Sequence, residues 1–578
     1  MIHNTANLRI APQQGPASLA ESAYAGLRVT ILGMARQGVA LARFFLSAGA
    51  LVTVSDLRSG EQLATAQTEL ERYAAESRAP RPAQHSRDGL SGAEYSDSGV
   101  ARRMPRASRQ WQQGRRSAEP RALCGGEPSW DAPVRFVFGG HPLALLDETD
   151  LLCLSGGVSP AIPIVLAAAA RGIPLSNDAQ LTLRHCPVPI VAITGSAGKT
   201  TTTTLVGLML ETADFTVHVG GNIGTPLIDR LDTIGPGDKV VMEFSSFQLE
   251  LVDTSPSLSA ILNITPNHLD RHPSISHYAA AKARILQYQV PGNICVLNAD
   301  DAFTGPWLRT GRCQIAEGAG QPPVYLPIQA TRLGFSLREE VPAGALLRSP
   351  SGRSPAPFAG AHPRPADMLV LRRLGMPDAE ICRVSDVRLR GRHNLANMLA
   401  AACLAGAAGA GISAVTKVAT SFGGVEHRLE IARRLGDVLW VNDSIATAPE
   451  RTAAALRSFA EPVVLLAGGR DKHLPWDECV ATIHGAGEDD SVRVRHVVLF
   501  GEAAALIGDA LTRYERENEV TPIPSTRCTS LEEAVAVAAK LAHPGDVVLL
   551  APGGTSFDAY DDYAARGQHF RSLVEALP

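Results

Sequence analysis

Residues 188–205 read VPIVAITGSAGKTTTTTL. The β-branched run up to Thr194 predicts a buried strand, and the Thr-rich run after Lys199 predicts a helix. Between them, Gly195 and Gly198 let the backbone curl so that its N–H groups face inward, next to the positive end of the helix. The stretch therefore predicts a phosphate-binding loop in an α/β domain with a mostly parallel sheet.

This loop is shorter than the pattern G-x-x-x-x-G-K-[ST], because Ile193 stands where the first glycine belongs. Lys199 is expected to meet the terminal phosphates of a bound nucleotide, and the Thr200 hydroxyl is expected to hold magnesium. A Ser/Thr/Gly turn with a surface lysine is the alternative. The predicted phosphate-binding residues of the loop are Gly195, Ser196, Ala197, Gly198, Lys199, Thr200 and Thr201.

Three further polar segments follow predicted strands of the same domain. They read GGNIGTP (220–226), EFSSFQLE (243–250) and NHLDRH (267–272). Sites in such sheets lie at the carboxyl ends of the strands. Glu243 and His268 could there supply an oxygen and a nitrogen to Mg²⁺ or Mn²⁺. A surface carboxylate and a loop histidine are the alternatives.

Two more α/β patterns flank this domain. LRVTILGMARQGVALARFF (27–45) and ALVTVSDLR (50–58) predict a βαβ unit, whose Gly33 and Gly38 match a dinucleotide-binding fingerprint except that Ala35 replaces its middle glycine. A tight turn that needs small residues only for packing is the alternative. After position 427, the runs DVLWVNDS, PVVLLAGG, RHVVLFG and DVVLLAPGG predict buried strands, and MLAAACLAGAAGAGI before them predicts a buried helix.

Two stretches lack the apolar residues of a packed core. Residues from about 77 to 133, and the shorter run LLRSPSGRSPAPFAGAHPRPAD (346–367), are rich in Arg, Ser, Gly and Pro. We interpret both as solvated insertions within domains. An RNA- or membrane-binding arm is the alternative for the first. The predicted organisation is a tail over 1–25 and domains over 26–186, 187–424 and 425–578.

Composition excludes several classes of protein. The 578 residues suggest three to five domains, and 45% hydrophobic with 19% charged residues excludes global disorder. The net charge, 54 − 58 = −4, disfavours binding to nucleic acid. Nine scattered cysteines without a C-x-x-C favour a reducing compartment over a disulfide framework or structural zinc. With no apolar leader or membrane span in the sequence, we expect a cytoplasmic protein that does not bind membranes, and a monomer.

The motifs occur in an order that resembles the Mur ligase family. To those quoted above are added HYAAAKARI, GRHNLANMLAA, FGGVEHRLE, VNDSIATAPE, LLAGGRDK and LLAPGGTSFDAYDDYAARG. The resemblance covers about Leu27 to the C-terminus outside the two insertions. EFSSFQLE, GGNIGTP and SFDAYDDYAARG are similar to the glutamate-adding branch. The resemblance implies an α/β protein with a Rossmann-like UDP-binding domain, a central P-loop ATPase domain and a C-terminal Rossmann-like amino-acid-binding domain.

The resemblance also implies an activity. The substrates would be UDP-N-acetylmuramoyl-L-alanine, glutamate and ATP, with Mg²⁺ at up to two sites. ATP would phosphorylate the substrate carboxylate, and the glutamate amine would attack the acyl phosphate. By position, the family's metal ligands correspond to Thr200, Glu243, His268 and a carbamylated Lys282. The family's other ATP contacts correspond to Asn394, Asn397, Arg428 and Asp443. Its UDP-sugar contacts correspond to Arg36, Gln37, Asp56, Arg58, Gly157 and Asn222. Its glutamate contacts correspond to Thr447, Lys472, Ser556 and Tyr563.

Departures from the family pattern fall at the amino-acid site. The usual D-S-K-A-T-N reads DSIATA here, so Ile445 removes a cation, and the usual S-P-A-x-A-S reads APGGTS. Tyr563 stands where phenylalanine is common. These differences resemble the branch that adds L-glutamate more than the D-glutamate branch, which stays the close alternative. A folylpolyglutamate-type ligase and a regulatory P-loop switch are further alternatives; residues 27–58 argue against the first, and the set Glu243, His268 and Lys282 argues against the second.

Overall fold

The computed structural model describes residues 24–78, 133–222, 224–266, 272, 274–316, 323–350, 363–373, 375–389, 391–472, 474–485 and 492–578. His268 and most of both predicted insertions lie outside these ranges. The described chain forms two compact units that divide between Pro174 and Leu175. Tyr24, which the sequence had assigned to the tail, packs edge-on against Phe44 and Phe45 and is part of the first unit.

The first unit is built on parallel strands in the order β3-β2-β1-β4. Its strands are β1 (Arg28–Leu32), β2 (Leu51–Asp56), β3 (Val134–Phe138) and β4 (Leu151–Leu154), and its helices are α1 (Arg36–Ser47), α2 (Gly60–Arg78) and α3 (Pro163–Ala170), with a 3-10 turn at Leu143–Glu148. The predicted βαβ unit is confirmed. Because β3 pairs with β2, the first insertion interrupts this sheet, as predicted.

The glycines of the first turn are needed for close packing. Gly33 has φ +89°, in the left-handed region that favours glycine, and a Cβ on Gly38 would lie 1.9 Å from the Gly33 carbonyl oxygen. The backbone of α1 therefore lies directly against the end of β1.

The second unit contains two sheets and a hairpin. A nine-stranded sheet has the order β16-β15-β14-β13-β10-β9-β6-β8-β7. Its strands are β6 (Ile190–Thr194), β7 (Val217–Gly221), β8 (Lys239–Glu243), β9 (Leu258–Ile261), β10 (Ile294–Asn298), β13 (Thr331–Ser336), β14 (Gly344–Arg348), β15 (Met368–Arg372) and β16 (Ala379–Arg383). The unit begins with β5 (Leu175–Asn177), and β11 (Arg312–Ala316) pairs with β12 (Val324–Pro327).

Helices cover both faces of the nine-stranded sheet. They are α4 (Asp178–His185), α5 (Lys199–Thr212), α6 (Ser246–Leu249), α7 (Ile275–Gln287), α8 (Thr304–Thr310), α9 (Arg392–Ala407) and α10 (Ile412–Ser421), with 3-10 turns at Ile228–Thr233 and Val384–Asp386. Alternate side chains of β6 point to opposite faces of the sheet. Val191 and Ile193 pack with α5 and α9, whereas Ile190 and Ala192 pack with α7. Most of the Ala/Gly-rich run lies in the buried helix α9, as predicted, and the run continues past the end of that helix at Ala407.

The second predicted insertion is narrower than the composition suggested. Leu346 and Leu347 are buried in β14, which pairs antiparallel with β15, and Asp367 is buried just before β15. The polar composition of the run that follows β14 extended the predicted insertion back into β14, and its other predicted end, Asp367, lies just before β15.

The last sheet has six strands in the order β17-β18-β22-β19-β20-β21, parallel except for β17 against β18. Its strands are β17 (Glu430–Leu435), β18 (Val438–Asn442), β19 (Val463–Gly468), β20 (Val494–Phe500), β21 (Ser525–Arg527) and β22 (Val547–Gly553), and its helices are α11 (Pro449–Leu456), α12 (Asp477–Ile483), α13 (Ala504–Asn518), α14 (Leu531–Leu541) and α15 (Tyr563–Glu575). The α/β class with three main sheets is confirmed. Within the described ranges, no helix combines the length and apolar character needed to cross a membrane.

Candidate active site

The predicted phosphate-binding loop joins β6 to α5. Gly198 has φ +80° at the N-terminus of α5, and a Cβ there would lie 2.2 Å from Asn397 Oδ1. Asn397 in turn donates from Nδ2 to Asn394 Oδ1 at 3.2 Å. Both asparagines are buried in the first turns of α9. The fold thus brings these two predicted ATP contacts against the loop.

An asparagine that the sequence analysis missed holds the loop in shape. Asn263 accepts from the Ala197 N–H at Oδ1 (2.8 Å) and donates from Nδ2 to the Ala197 carbonyl (3.1 Å). The Ser196 N–H donates to the Asn263 carbonyl at 3.0 Å. Asn263 lies just after β9, next to β6, so the rule that sites lie at strand ends could have found it.

Glu243 ends β8 beside the loop and is only 2% exposed. It accepts from the Thr200 hydroxyl at 2.9 Å and from Asn222 Nδ2 at 3.0 Å. The three residues come together because β6, β8 and β7 are parallel neighbours. Asn222, which was predicted to contact the UDP-sugar, therefore lies at the phosphate-loop edge of the second unit.

Two lysines converge on one carbonyl of the loop. Lys199 Nζ donates to the Gly195 carbonyl at 3.0 Å, and Lys282 Nζ donates to the same oxygen at 2.9 Å. Burial lowers the pKa of both ammonium groups. The charge of Lys199 lowers the pKa of Lys282 further, while Glu243 opposes the shift. Lys282 is 1% exposed and lies over the Tyr278 ring, with Nζ 4.5 Å from its centroid.

The oxygen atoms at this edge suit Mg²⁺ only in company with phosphate. Within the described ranges, no group of three or more His, Cys, Asp and Glu side chains could hold a metal. Glu243 and Thr200 offer one carboxylate and one hydroxyl, which contact each other. Mg²⁺ commonly binds one or two carboxylates together with phosphate oxygens and water, so this set fits magnesium bound with ATP.

Three of the four predicted amino-acid residues, Thr447, Ser556 and Lys472, lie on loops after the neighbouring strands β18, β22 and β19. Lys472 Nζ donates to the Thr447 hydroxyl at 3.2 Å. Backbone hydrogen bonds of 2.8 Å between Arg470 and Thr555 join the loop that carries Lys472 to the loop that carries the buried Ser556. Tyr563 begins α15 and is 39% exposed.

A buried arginine ties two of these loops together. Arg566 is fully buried and donates from Nε to the Ser444 hydroxyl (3.0 Å) and from Nη2 to the Ser444 carbonyl (2.9 Å). It also donates to the carbonyls of Gly554 and Thr555. Burial lowers the pKa of Arg566 to about 10. The sequence analysis missed this residue, because an arginine within a helix carries no sign of the loops it contacts.

Arg428 and Asp443 link the last sheet to the phosphate loop. Asp443 Oδ1 accepts from the Leu429 N–H at 3.0 Å. Burial lowers the pKa of Arg428, and the charges of Asp443 and Glu243 oppose that shift. Arg428 also contributes to the lowered pKa of Lys199. Within the second unit, the charge of Arg428 therefore acts on Lys199 of the loop at 195–201, and Asp443 acts on Arg428.

Burial raises the pKa of Asp443 to about 6, although the Leu429 N–H and the charges of Arg428 and Arg451 oppose the shift. A carboxyl with a raised pKa is favoured in its protonated form by folding, so its contribution to stability is lost as the pH rises from about 4 to above 6. We expect Asp443→Asn to stabilise the nucleotide-free protein at pH 7.5 by up to about 3 kcal/mol. Calorimetry should show a higher Tm there and no difference at pH 4.

The exposed Asp437→Asn is the matched control and should leave Tm unchanged at both pH values. An Asp443→Asn variant less stable than wild type at pH 7.5 would contradict this interpretation.

In the first unit, five of the predicted UDP-sugar residues lie around the ends of β1, β2 and β4. Asp56 accepts from the Met34 N–H at 2.7 Å and from Arg58 Nη2 at 2.8 Å. Burial alone would raise the pKa of Asp56, but hydrogen bonds from Arg58 and Met34 lower it well below its usual value. Gln37 Oε1 accepts from the Gly156 N–H at 2.8 Å. Arg36 begins α1, and Gly157 follows β4 with open space at its Cα.

Comparison with known proteins identifies two domain families. Residues 193–316 match the Mur ligase middle domain, and residues 427–554 match the Mur ligase glutamate ligase domain. The UDP-N-acetylmuramoylalanine--D-glutamate ligase of Symbiobacterium thermophilum is 39% identical over 77% of this chain and 88% of its own. The ligase of the same name from Acetivibrio thermocellus is 37% identical over 77% of this chain and 86% of its own.

Among solved structures, the match to a UDP-N-acetylmuramate-alanine ligase from Thermotoga maritima spans 95% of this chain and 99% of the ligase chain. The two are 17% identical in sequence, and the TM-score is 0.47. The extended sequence identity to the two ligases decides the assignment. The chain belongs to the Mur ligase family and is an ATP-dependent, amide-bond-forming ligase of peptidoglycan precursors.

Proposed function

We propose that the chain joins glutamate to UDP-N-acetylmuramoyl-L-alanine while ATP becomes ADP and phosphate. The observation that carries this proposal is the arrangement within the second unit. Lys199 precedes Thr200 of the Glu243–Thr200 pair, and the charge of Arg451 acts both on Lys199 and on Lys472, whose ammonium contacts Thr447. The names of the curated relatives, which specify a muramoylalanine substrate and glutamate, support it.

The proposed reaction has two steps. A carboxylate oxygen of UDP-N-acetylmuramoyl-L-alanine attacks the γ-phosphorus of ATP, and ADP leaves. The glutamate amine then attacks the acyl carbon, loses a proton to solvent and expels phosphate, so that an amide bond replaces the acyl–phosphate bond. The loop N–H groups and Lys199 would hold the γ-phosphoryl group in line with the attacking oxygen.

We propose that Mg²⁺ is bound by Thr200 and Glu243, with His268 and a carbamylated Lys282 completing the protein ligands. Bound magnesium supplies charge neutralisation on the phosphate oxygens. Asn394, Asn397, Arg428 and Asp443 would contact the nucleotide, and Arg36, Gln37, Asp56, Arg58, Gly157 and Asn222 the UDP-sugar. Domain boundaries at 186/187 and 424/425, a cytoplasmic location and a monomeric state stay predictions.

For the isomer, we propose L-glutamate. Ile445 replaces a cation in the loop after β18, and Tyr563 adds a phenol hydroxyl at the exposed start of α15. The missing cation at position 445 and the added hydroxyl of Tyr563 would change how the two carboxylates of glutamate are bound. The site therefore differs from the usual D-glutamate pattern. D-glutamate is the second candidate, and the observation that favours it is the name shared by the relatives at 37–39% identity.

The test offers the purified protein ATP, Mg²⁺ and UDP-N-acetylmuramoyl-L-alanine with L- or D-glutamate, and measures product mass and released phosphate. We expect phosphate release only when the UDP-sugar and L-glutamate are both present. Product from D-glutamate alone would refute the L-isomer proposal, and no product from either isomer would refute the glutamate ligase. ATP hydrolysis without either substrate would favour a nucleotide switch.

A further inference from the structure

Arg451 extends its side chain over the loop that follows β18. It lies in the first turn of α11, where its backbone N–H donates to the Ala448 carbonyl at 3.0 Å. Its Nη1 reaches back to the Ile445 carbonyl at 3.5 Å, which is long for a hydrogen bond. The side chain is exposed. Among the described residues, this carbonyl is the only hydrogen-bond acceptor that the Arg451 side chain contacts. The other N–H donors of the guanidinium are therefore available to a ligand.

The guanidinium lies among other cations. Burial is the main cause of the lowered pKa of Lys472, and the charge of Arg451 is the next largest cause. Arg451 also contributes to the lowered pKa of Lys199 and of Arg428, where burial again acts most. Three carboxylates act on these groups: Glu243 on Lys199 and Arg428, Asp443 on Arg428, and Glu450 on Lys472. Because the four cations outnumber these carboxylates, they form a site for anionic groups.

Arg451 reaches the carbonyl of Ile445, two residues before Thr447, and the Thr447 hydroxyl accepts a hydrogen bond from the Lys472 ammonium. This places the charge of Arg451 on the amino-acid side of the site. A guanidinium presents two parallel N–H donors that match the two oxygens of a carboxylate, whereas a lysine presents a point charge.

We propose that Arg451 binds a carboxylate of the incoming glutamate together with Lys472, and so supplies from α11 the cation that position 445 lacks. This inference rests on the proposed glutamate ligase function. Arg451 is then a specificity-determining residue, because its contact is made with the amino acid and not with the reacting carbonyl or the phosphates of ATP.

The test is steady-state kinetics of Arg451→Ala with glutamate, ATP and UDP-N-acetylmuramoyl-L-alanine varied in turn. We expect the KM for glutamate to rise about 10- to 100-fold, as for the loss of a hydrogen-bonded charge pair, while the KM for ATP and for the UDP-sugar change less than about twofold. Arg451→Lys should recover part of the loss. Adding Ile445→Lys to Arg451→Ala should also recover part of it, by returning a cation to the loop.

Arg457→Ala is the matched control, because Arg457 is a half-exposed arginine just after α11 that pairs with Glu478 on the side of α12. It should leave every KM unchanged. An unchanged KM for glutamate in Arg451→Ala, a loss confined to the KM for ATP, or no recovery by either added lysine would overturn the inference. Wild-type protein that makes no product from either glutamate isomer would instead refute the proposed function itself.

Discussion

Replacing Lys199 by alanine is expected to reduce kcat by at least about 10³-fold and leave the protein folded. In the structure, the ammonium donates to the carbonyls of Gly195 and Ser196, which belong to its own loop. These are weak partners for a cation compared with phosphate oxygens, so ATP should draw the ammonium to itself. A half-buried cation beside the transferring phosphoryl group stabilises charge that develops in the transition state.

The measurement is kcat for phosphate release, with Tm measured on the same sample. Because burial lowers the pKa of Lys199, holding the cation in the fold costs free energy, and its removal should leave Tm unchanged or higher. Lys417→Ala, on the exposed face of α10, is the control and should retain full activity. Activity within tenfold of wild type in Lys199→Ala would contradict a phosphate-binding role for this loop.

Replacing Lys282 by methionine is expected to reduce kcat about 100-fold or more. In the described structure, the ammonium donates to neutral oxygens, the Gly195 carbonyl and the Thr194 hydroxyl, and no carboxylate accepts from it. Burial and Lys199 lower its pKa well below the usual value. The neutral amine is the form that adds CO₂, giving a carbamate and a proton. The resulting anion would oppose the charge of Lys199 and offer oxygen atoms to Mg²⁺.

The carbamate can be observed apart from activity. Protein equilibrated with ¹³C-bicarbonate should show a carbamate carbonyl signal by NMR, and Lys282→Met should lose it. Lys239→Met is the control, because Lys239 lies over the Phe215 ring at the start of β8 and its loss should leave both signal and activity intact. Full activity of Lys282→Met, or a wild-type enzyme with no carbamate signal, would contradict the carbamylation proposal.

Strands and their order along the chain were largely predictable. Apolar runs such as VVLLAGG are buried on both faces of a parallel sheet, so they stand out from the sequence without knowledge of their neighbours. The loop at 195–198 was predictable for a related reason, since glycine spacing and a following Lys-Thr are local requirements of phosphate binding. The boundaries of the insertions were predicted less accurately. Local composition extended the second predicted insertion into β14, where Leu346 and Leu347 are buried.

Contacts between distant loops were not predictable. Asn263 holds the phosphate loop from a neighbouring strand, and Arg566 reaches Ser444 across more than a hundred residues. Neither residue type indicates such a role in the sequence, since asparagine and arginine are usually solvated. The residues that Asn263 and Arg566 contact depend on which strands become neighbours in the sheet.

By itself, the sequence determined the α/β class, the strand–loop–helix around residues 195–198 and the family, because each depends on local periodicity or on motifs in a fixed order. Only the tertiary structure decided which charges meet. Lys199 and Lys282 share the Gly195 carbonyl, and Arg451 turns back over the loop of Ile445. The physical reason is that a pKa, and the anion a site accepts, depend on burial and on charges a few ångströms away, which chain order does not reveal.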